Sequence, residues 1–150
     1  MRSRPSTQPH KIPQILIVDD NRQGLIARKA LLEEQGYYVS TANGGEEALE
    51  AFAKQQFEIV VTDFRMPHMN GSELIRRIRA LKPDVRIILL SGFVDLLGLS
   101  EESTGADIVI AKSASEVGNL TRGVKRLLAQ APARKPPASA GVLKAKKAKA

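Results

Sequence analysis

Cysteine is absent from this 150-residue sequence, tryptophan is absent too, and four Phe and two Tyr are the only aromatics. Without thiols there is neither a disulfide nor a thiolate metal site, which fits a reducing compartment. With apolar residues at 43%, the core must be built mainly from aliphatic side chains. No apolar run approaches the ~20 residues of a membrane-spanning helix. The opening MRSRPSTQPHKIP carries basic residues with no apolar segment behind them, so it does not read as a secretory signal. The length suits one domain.

Acidic residues are missing from both ends. Residues 1–13 hold three basic groups and residues 131–150 hold six, with no Asp or Glu in either stretch. Taking those 9 from the total of 23 leaves 14 basic groups against all 16 acids, a net of −2 for the middle, although the whole chain is +7. A basic, nucleic-acid-binding domain is therefore not what the charge describes. The first stretch, rich in Pro, Ser, Thr and Gln, reads as a flexible arm, and the Ala/Lys/Pro-rich last twenty residues read as a disordered basic tail. That tail is first a solubilising end; weak, salt-dependent attraction to nucleic acid or anionic lipid is its functional alternative.

Between the tails, residues 14–130 alternate two patterns. Short, continuous apolar runs at Gln14–Val18, Tyr37–Thr41, Glu58–Thr62, Arg86–Leu90 and Asp107–Ile110 read as strands buried on both faces. Helix-length segments separate them. Residues 44–54 place Ala48, Leu49 and Phe52 on one face; residues 71–81 place Leu74, Ile75, Ile78 and Leu81; residues 115–130 place Leu120, Val124, Leu127 and Leu128. Residues 21–35 form a further helix stopped by Gly36, and residues 94–104 complete the set with a pattern diluted by glycine, serine and acids. Five strands alternating with five helices predict an α/β, doubly wound parallel sheet with right-handed crossovers. Ligands of such sheets gather beyond the carboxyl ends of the strands.

Those ends carry chemistry. The first strand runs into Asp19-Asp20, the third into Asp63, the fourth into Ser91-Gly92 and the fifth into Lys112. Three clustered carboxylates repel one another and call for a hard cation; Mg²⁺ takes oxygen ligands of this kind. A carboxylate so placed serves as a nucleophile toward phosphorus, while an ammonium and a hydroxyl stabilise phosphoryl oxygens.

The segments ILIVDDN, VVTDFRMPHMNG, ILLSG and IVIAK, in this order and spacing, resemble the receiver domains of two-component response regulators over about residues 14–130. The resemblance implies a flavodoxin-like (βα)5 fold with strand order 2-1-3-4-5. It implies that Asp63 accepts a phosphoryl group from a phosphohistidine on a sensor histidine kinase or phosphotransfer protein. Mg²⁺ would be held by Asp19, Asp20, Asp63 and the backbone carbonyl of Arg65. Ser91 and Lys112 would bind phosphoryl oxygens, and Met66, Pro67 and Gly71 would shape the loop after the third strand. A phosphoacceptor with only weak self-phosphorylation and dephosphorylation is implied, rather than an enzyme. It would be cytoplasmic, act through contacts with a downstream protein, and form a homodimer on phosphorylation where the family's common mode applies. With the chain ending soon after the fifth helix, a stand-alone receiver is expected.

Two positions depart from the family pattern. Ser113 follows Lys112 where the family has a proline, commonly after a cis bond; a cis bond to a non-proline costs ~3–4 kcal/mol, so a trans bond is expected. Val109 stands at the switch position where an aromatic is usual, so the usual aromatic rotation is lost. These two residues support an alternative, a degenerate receiver that acts as a binding scaffold. An aspartyl phosphatase ranks last, because the position two residues on from Asp63, where a second Asp would supply its general acid, is Arg65. Taken singly, Asp19 and Asp20 would be turn or cap residues, Ser91 a turn residue and Lys112 a surface charge; together they form a site. His10 and His68 are too isolated for a metal site, and His68 reads as an exposed loop residue.

Overall fold

The computed structural model describes residues 11–92 and 98–130. The expected arm (residues 1–10), the basic tail (131–150) and the start of the 94–104 helix (94–97) lie outside them. In chain order the elements are β1 (Gln14–Val18), α1 (Arg22–Glu34), β2 (Tyr38–Ala42), α2 (Gly45–Lys54), β3 (Ile59–Asp63), α3 (Gly71–Leu81), β4 (Arg86–Ser91), α4 (Glu101–Thr104), β5 (Ile108–Ala111) and α5 (Glu116–Ala129). All strand pairs are parallel and the order is β2-β1-β3-β4-β5, as the resemblance implied.

Strand residues alternate between two cores because successive side chains leave opposite faces of a sheet. Leu16, Val18, Val60, Ile87 and Leu89 pack with Ala48 of α2 and with Leu74, Ile75 and Ile78 of α3. Ile15, Ile17, Ile59, Val61, Ile88 and Leu90 pack on the other face with Leu25 and Leu32 of α1 and with Leu120, Val124 and Leu127 of α5. The runs look continuous in sequence because both faces are covered.

Three local readings are corrected. β2, β3 and β5 each begin one residue later than their apolar runs, and β3 and β4 extend to include Asp63 and Ser91. Leu81, placed on the buried face of α3, is 63% exposed, while Arg79 of that helix is fully buried. The 94–104 helix reduces, among described residues, to Glu101–Thr104. Ser100 starts it by accepting the Ser103 amide while the Ser103 hydroxyl accepts the Ser100 amide, and Gly105 ends it at φ 84°. Such a reciprocal cap fixes where a helix begins, so the described residues 98–100 lie ahead of it. Gly36, at φ 98°, stops α1 as expected.

Candidate functional site

Parallel strands bring their carboxyl ends to one edge, and this is where the acids meet. Asp19 follows β1 and Asp63 closes β3; both are buried, whereas Asp20 is exposed. One carboxylate oxygen from each of Asp19, Asp20 and Asp63 lies within 4.8 Å of the others. The Asp19–Asp20 pair is not the cap of α1. That role belongs to Asn21, whose Oδ1 accepts the amides of Gln23 and Gly24, and the Asn21 amide donates in turn to Asp19 Oδ1 at 3.0 Å.

Lys112 follows β5 and its Nζ lies 2.6 Å from Asp63 Oδ1. Its amide donates to the Ser91 carbonyl at 2.6 Å, which ties the end of β5 to the end of β4. No peptide bond is cis among the described residues, so Ser113 follows Lys112 through a trans bond and the ammonium still reaches Asp63. Ser91 is fully buried at the tip of β4. Val109 is half-buried in β5, and its amide donates to Glu101 Oε2 at 3.1 Å.

The loop after Asp63 is pinned from below. Gly71 begins α3 so close to the chain that a Cβ there would lie 2.6 Å from the Asp63 carbonyl oxygen and 3.0 Å from Phe64 Cα. Its amide donates to the Phe64 carbonyl at 2.8 Å. Only glycine tolerates that approach. A cleft of about 450 Å³ opens over the site, lined by Asp20, Phe64, Arg65, Met66, Pro67 and Asn70. His68 in the same loop is exposed and adopts φ 72°.

Sequence reading missed two site residues. Arg28 of α1 donates from Nη1 to Asp19 Oδ2 at 2.8 Å and from Nε to Glu116 Oε2 of α5 at 2.7 Å. The available signal was helical spacing: Arg28 falls three residues after buried Leu25 and four before buried Leu32. Burial acts to lower the Arg28 pKa, but hydrogen bonds and charge from Glu116 and Asp19 outweigh it and hold the group above its ordinary value.

Electrostatically, the three clustered carboxylates of Asp19, Asp20 and Asp63 are met by Arg28, which pairs with Asp19, and by Lys112, which pairs with Asp63. Burial raises the Asp63 pKa above its ordinary 3.8, Asp19 adds to the rise, and Lys112 and Arg28 oppose it. Three hard oxygen donors within reach of one another fit a divalent cation such as Mg²⁺. The arrangement offers a nucleophilic oxygen, an adjacent ammonium and an open approach.

The sequence matches the response regulator receiver domain over residues 15–122. It is 29% identical over 114 residues to the response regulator receiver protein CpdR of Brucella abortus, covering 76% of this chain and 94% of that one. It is 36% identical over 84 residues to the transcriptional regulatory protein ZraR of Escherichia coli, covering 56% of this chain but only 19% of that longer protein. The crystal structure of the response regulator TrrA of Thermotoga maritima, in complex with Mg²⁺ and BeF, superposes with a TM-score of 0.69 at 35% identity, covering 77% of this chain and 99% of that one. No helix among the described residues is long and apolar enough to cross a membrane. Fold, strand-end acids and sequence agree: the chain belongs to the response regulator receiver domain family of two-component signalling.

Proposed function

We propose that residues 14–130 act as a phosphorylatable receiver in which Asp63 takes a phosphoryl group from a phosphohistidine on a sensor histidine kinase or phosphotransfer protein. The observation that carries this reading is the Asp63 carboxylate, beside Asp19 and Asp20 and 2.6 Å from the Lys112 ammonium. An Asp63 oxygen attacks phosphorus, the new P–O bond forms as the P–N bond breaks, and the electron pair returns to the imidazole nitrogen, which takes up a proton. Catalysis is then positioning and charge compensation.

Asp19, Asp20, Asp63 and the Arg65 carbonyl would hold Mg²⁺. When bound, it supplies positive charge against the acids and the phosphoryl oxygens. Lys112 orients Asp63 and compensates charge on the phosphoryl group, and Ser91, at the tip of the neighbouring strand, donates its hydroxyl to a phosphoryl oxygen. Met66, Pro67 and Gly71 keep the loop in register above Asp63. The output is a change in protein contacts, with a downstream partner or a second copy, made without the usual aromatic because Val109 takes its place.

A second reading has one specific observation in its favour. A degenerate receiver that serves as a constitutive scaffold agrees with Arg28 already holding a carboxylate of the site. Intact mass decides between them. With acetyl phosphate and Mg²⁺ the full chain should gain one phosphoryl group and the Asp63→Ala variant none; no gain by the wild type at saturating donor refutes the first reading.

A further inference from the structure

Arg28 stands where the amphipathic pattern of α1 calls for an apolar side chain. Its neighbours along that stripe, Leu25 and Leu32, are 4% and 0% exposed, and the Arg28 side chain itself is only 12% exposed. Burying a guanidinium there is unfavourable unless carboxylates meet it. Two do, from opposite sides: Asp19 of the acidic edge and Glu116 of α5, at 2.8 and 2.7 Å. Asp19 is itself 1% exposed, so this ion pair is shielded from solvent and is not a loose surface contact.

A second, independent feature shows that the berth is built. Gly24 lies one helical turn before Arg28. A Cβ at Gly24 would sit 2.9 Å from Arg28 Nη1 and 3.1 Å from Asp19 Oδ2. Glycine costs a helix up to about 1 kcal/mol relative to alanine, and no positive φ requires it here. What it provides is space for the guanidinium to lie against the Asp19 carboxylate.

We infer that Arg28 is a resident counter-cation of the acidic edge, occupying Asp19 Oδ2 in competition with a divalent cation. The inference rests on the reading of Asp19, Asp20 and Asp63 as an Mg²⁺ site. The guanidinium stabilises the acids when no metal is bound, and Mg²⁺ gains full use of Asp19 only by displacing it. Displacement also loosens the Asp19–Arg28–Glu116 bridge between β1, α1 and the start of α5. Arg28 is thus a positioning residue: it touches a proposed metal ligand, not the reacting phosphorus.

The test is the Mg²⁺ affinity of the full chain by titration calorimetry, with Mn²⁺ electron paramagnetic resonance as a second reading of the same site. Arg28→Met should bind Mg²⁺ about tenfold tighter or more, since a nearby positive charge is gone. Gly24→Ala keeps the charge but pushes the guanidinium off Asp19, and should tighten binding about threefold or more. Arg28→Lys, which keeps one positive charge near the acids but cannot bridge both carboxylates, should tighten binding less than Arg28→Met. Should Arg28→Met prove unable to fold, Gly24→Ala carries the test alone, because alanine favours the helix. Mg²⁺ binding by the wild type with no tightening in Gly24→Ala overturns competition at Asp19 while leaving the metal site intact. No Mg²⁺ binding by any form at millimolar concentration removes the metal site and, with it, this role for Arg28.

Discussion

Replacing Arg79 by methionine should cost this domain about 3–4 kcal/mol, the range of a buried charge pair broken from one side. The guanidinium is fully buried at the end of α3. Its Nε and Nη2 donate to the Gly105 carbonyl at 3.2 and 3.0 Å, its Nη1 donates to the carbonyls of Pro83 (3.1 Å) and Val85, and Nη2 also donates to Asp107 Oδ2 at 2.8 Å. Methionine fills much of the same channel, so the cavity contribution is small, and the loss is that of partners left without their donor. Each hydrogen bond to a charged group is worth about 1.5–3 kcal/mol, but the contributions overlap. Asp107 is not wholly abandoned, because its Oδ2 keeps the Ile87 amide at 2.7 Å, which holds the total below the simple sum. Domains of this size have about 5–15 kcal/mol in hand, so the variant should fold with a much lower urea midpoint and an unchanged m-value. A cycle with Asp107→Asn should return a coupling of about 1 kcal/mol or more. A loss under about 1 kcal/mol would refute the reasoning, since it would mean that water or a shifted backbone satisfies these carbonyls as well as Arg79 does.

Three further perturbations test the site and its loop. Gly71→Ala should lose about 1–3 kcal/mol in urea denaturation, because the new methyl group meets the Asp63 carbonyl and Phe64 backbone, which cannot rotate away. His68→Gly should gain about 0.5–1 kcal/mol, since φ 72° costs a side-chain-bearing residue more than glycine loses in unfolded-state entropy; no gain would mean that the histidine side chain makes good the strain. In buffer containing EDTA, Asp63→Asn should be more stable than the wild type at neutral pH. The Asp63 pKa is raised in the fold, chiefly by burial, so the folded state binds the proton more tightly, and ionisation costs stability as pH rises from the unfolded value near 3.8 through the folded one. The gap should grow as pH rises above 3.8 toward neutrality and close as pH falls back toward 3.8, as urea midpoints across that range will read; a gap that widens in acid would reverse the assignment.

What the sequence made legible, and what it hid, divides by the range of the interaction responsible. The strands are legible because Ile15, Leu16, Ile17 and Val18 need only be apolar to serve both cores, and the parallel alternation then forces Asp19, Asp63, Ser91 and Lys112 onto one edge with no knowledge of distances. The family motifs sharpen that placement, since DD, D-x-x-M-P, S-G and K fall at the successive tips. Arg28 and Arg79 escaped because a helical wheel that counts only apolar residues passes over a cation on the buried stripe and instead admits Leu81, which faces solvent. Yet a basic residue on that stripe is itself a signal: the chain must bring acceptors to it, because an unpaired buried guanidinium is too costly to persist. Spacing along α1 or α3 cannot say which acceptors. For Arg28 the distant one is Glu116, 88 residues on, and for Arg79 they include Gly105 and Asp107, 26 and 28 residues on. Both arginines therefore bind their own helix to the stretch of chain that flanks β5, the strand that delivers Lys112. The polar contacts least visible in the sequence are thus the ones that fasten α1 and α3 to the segments on either side of that strand.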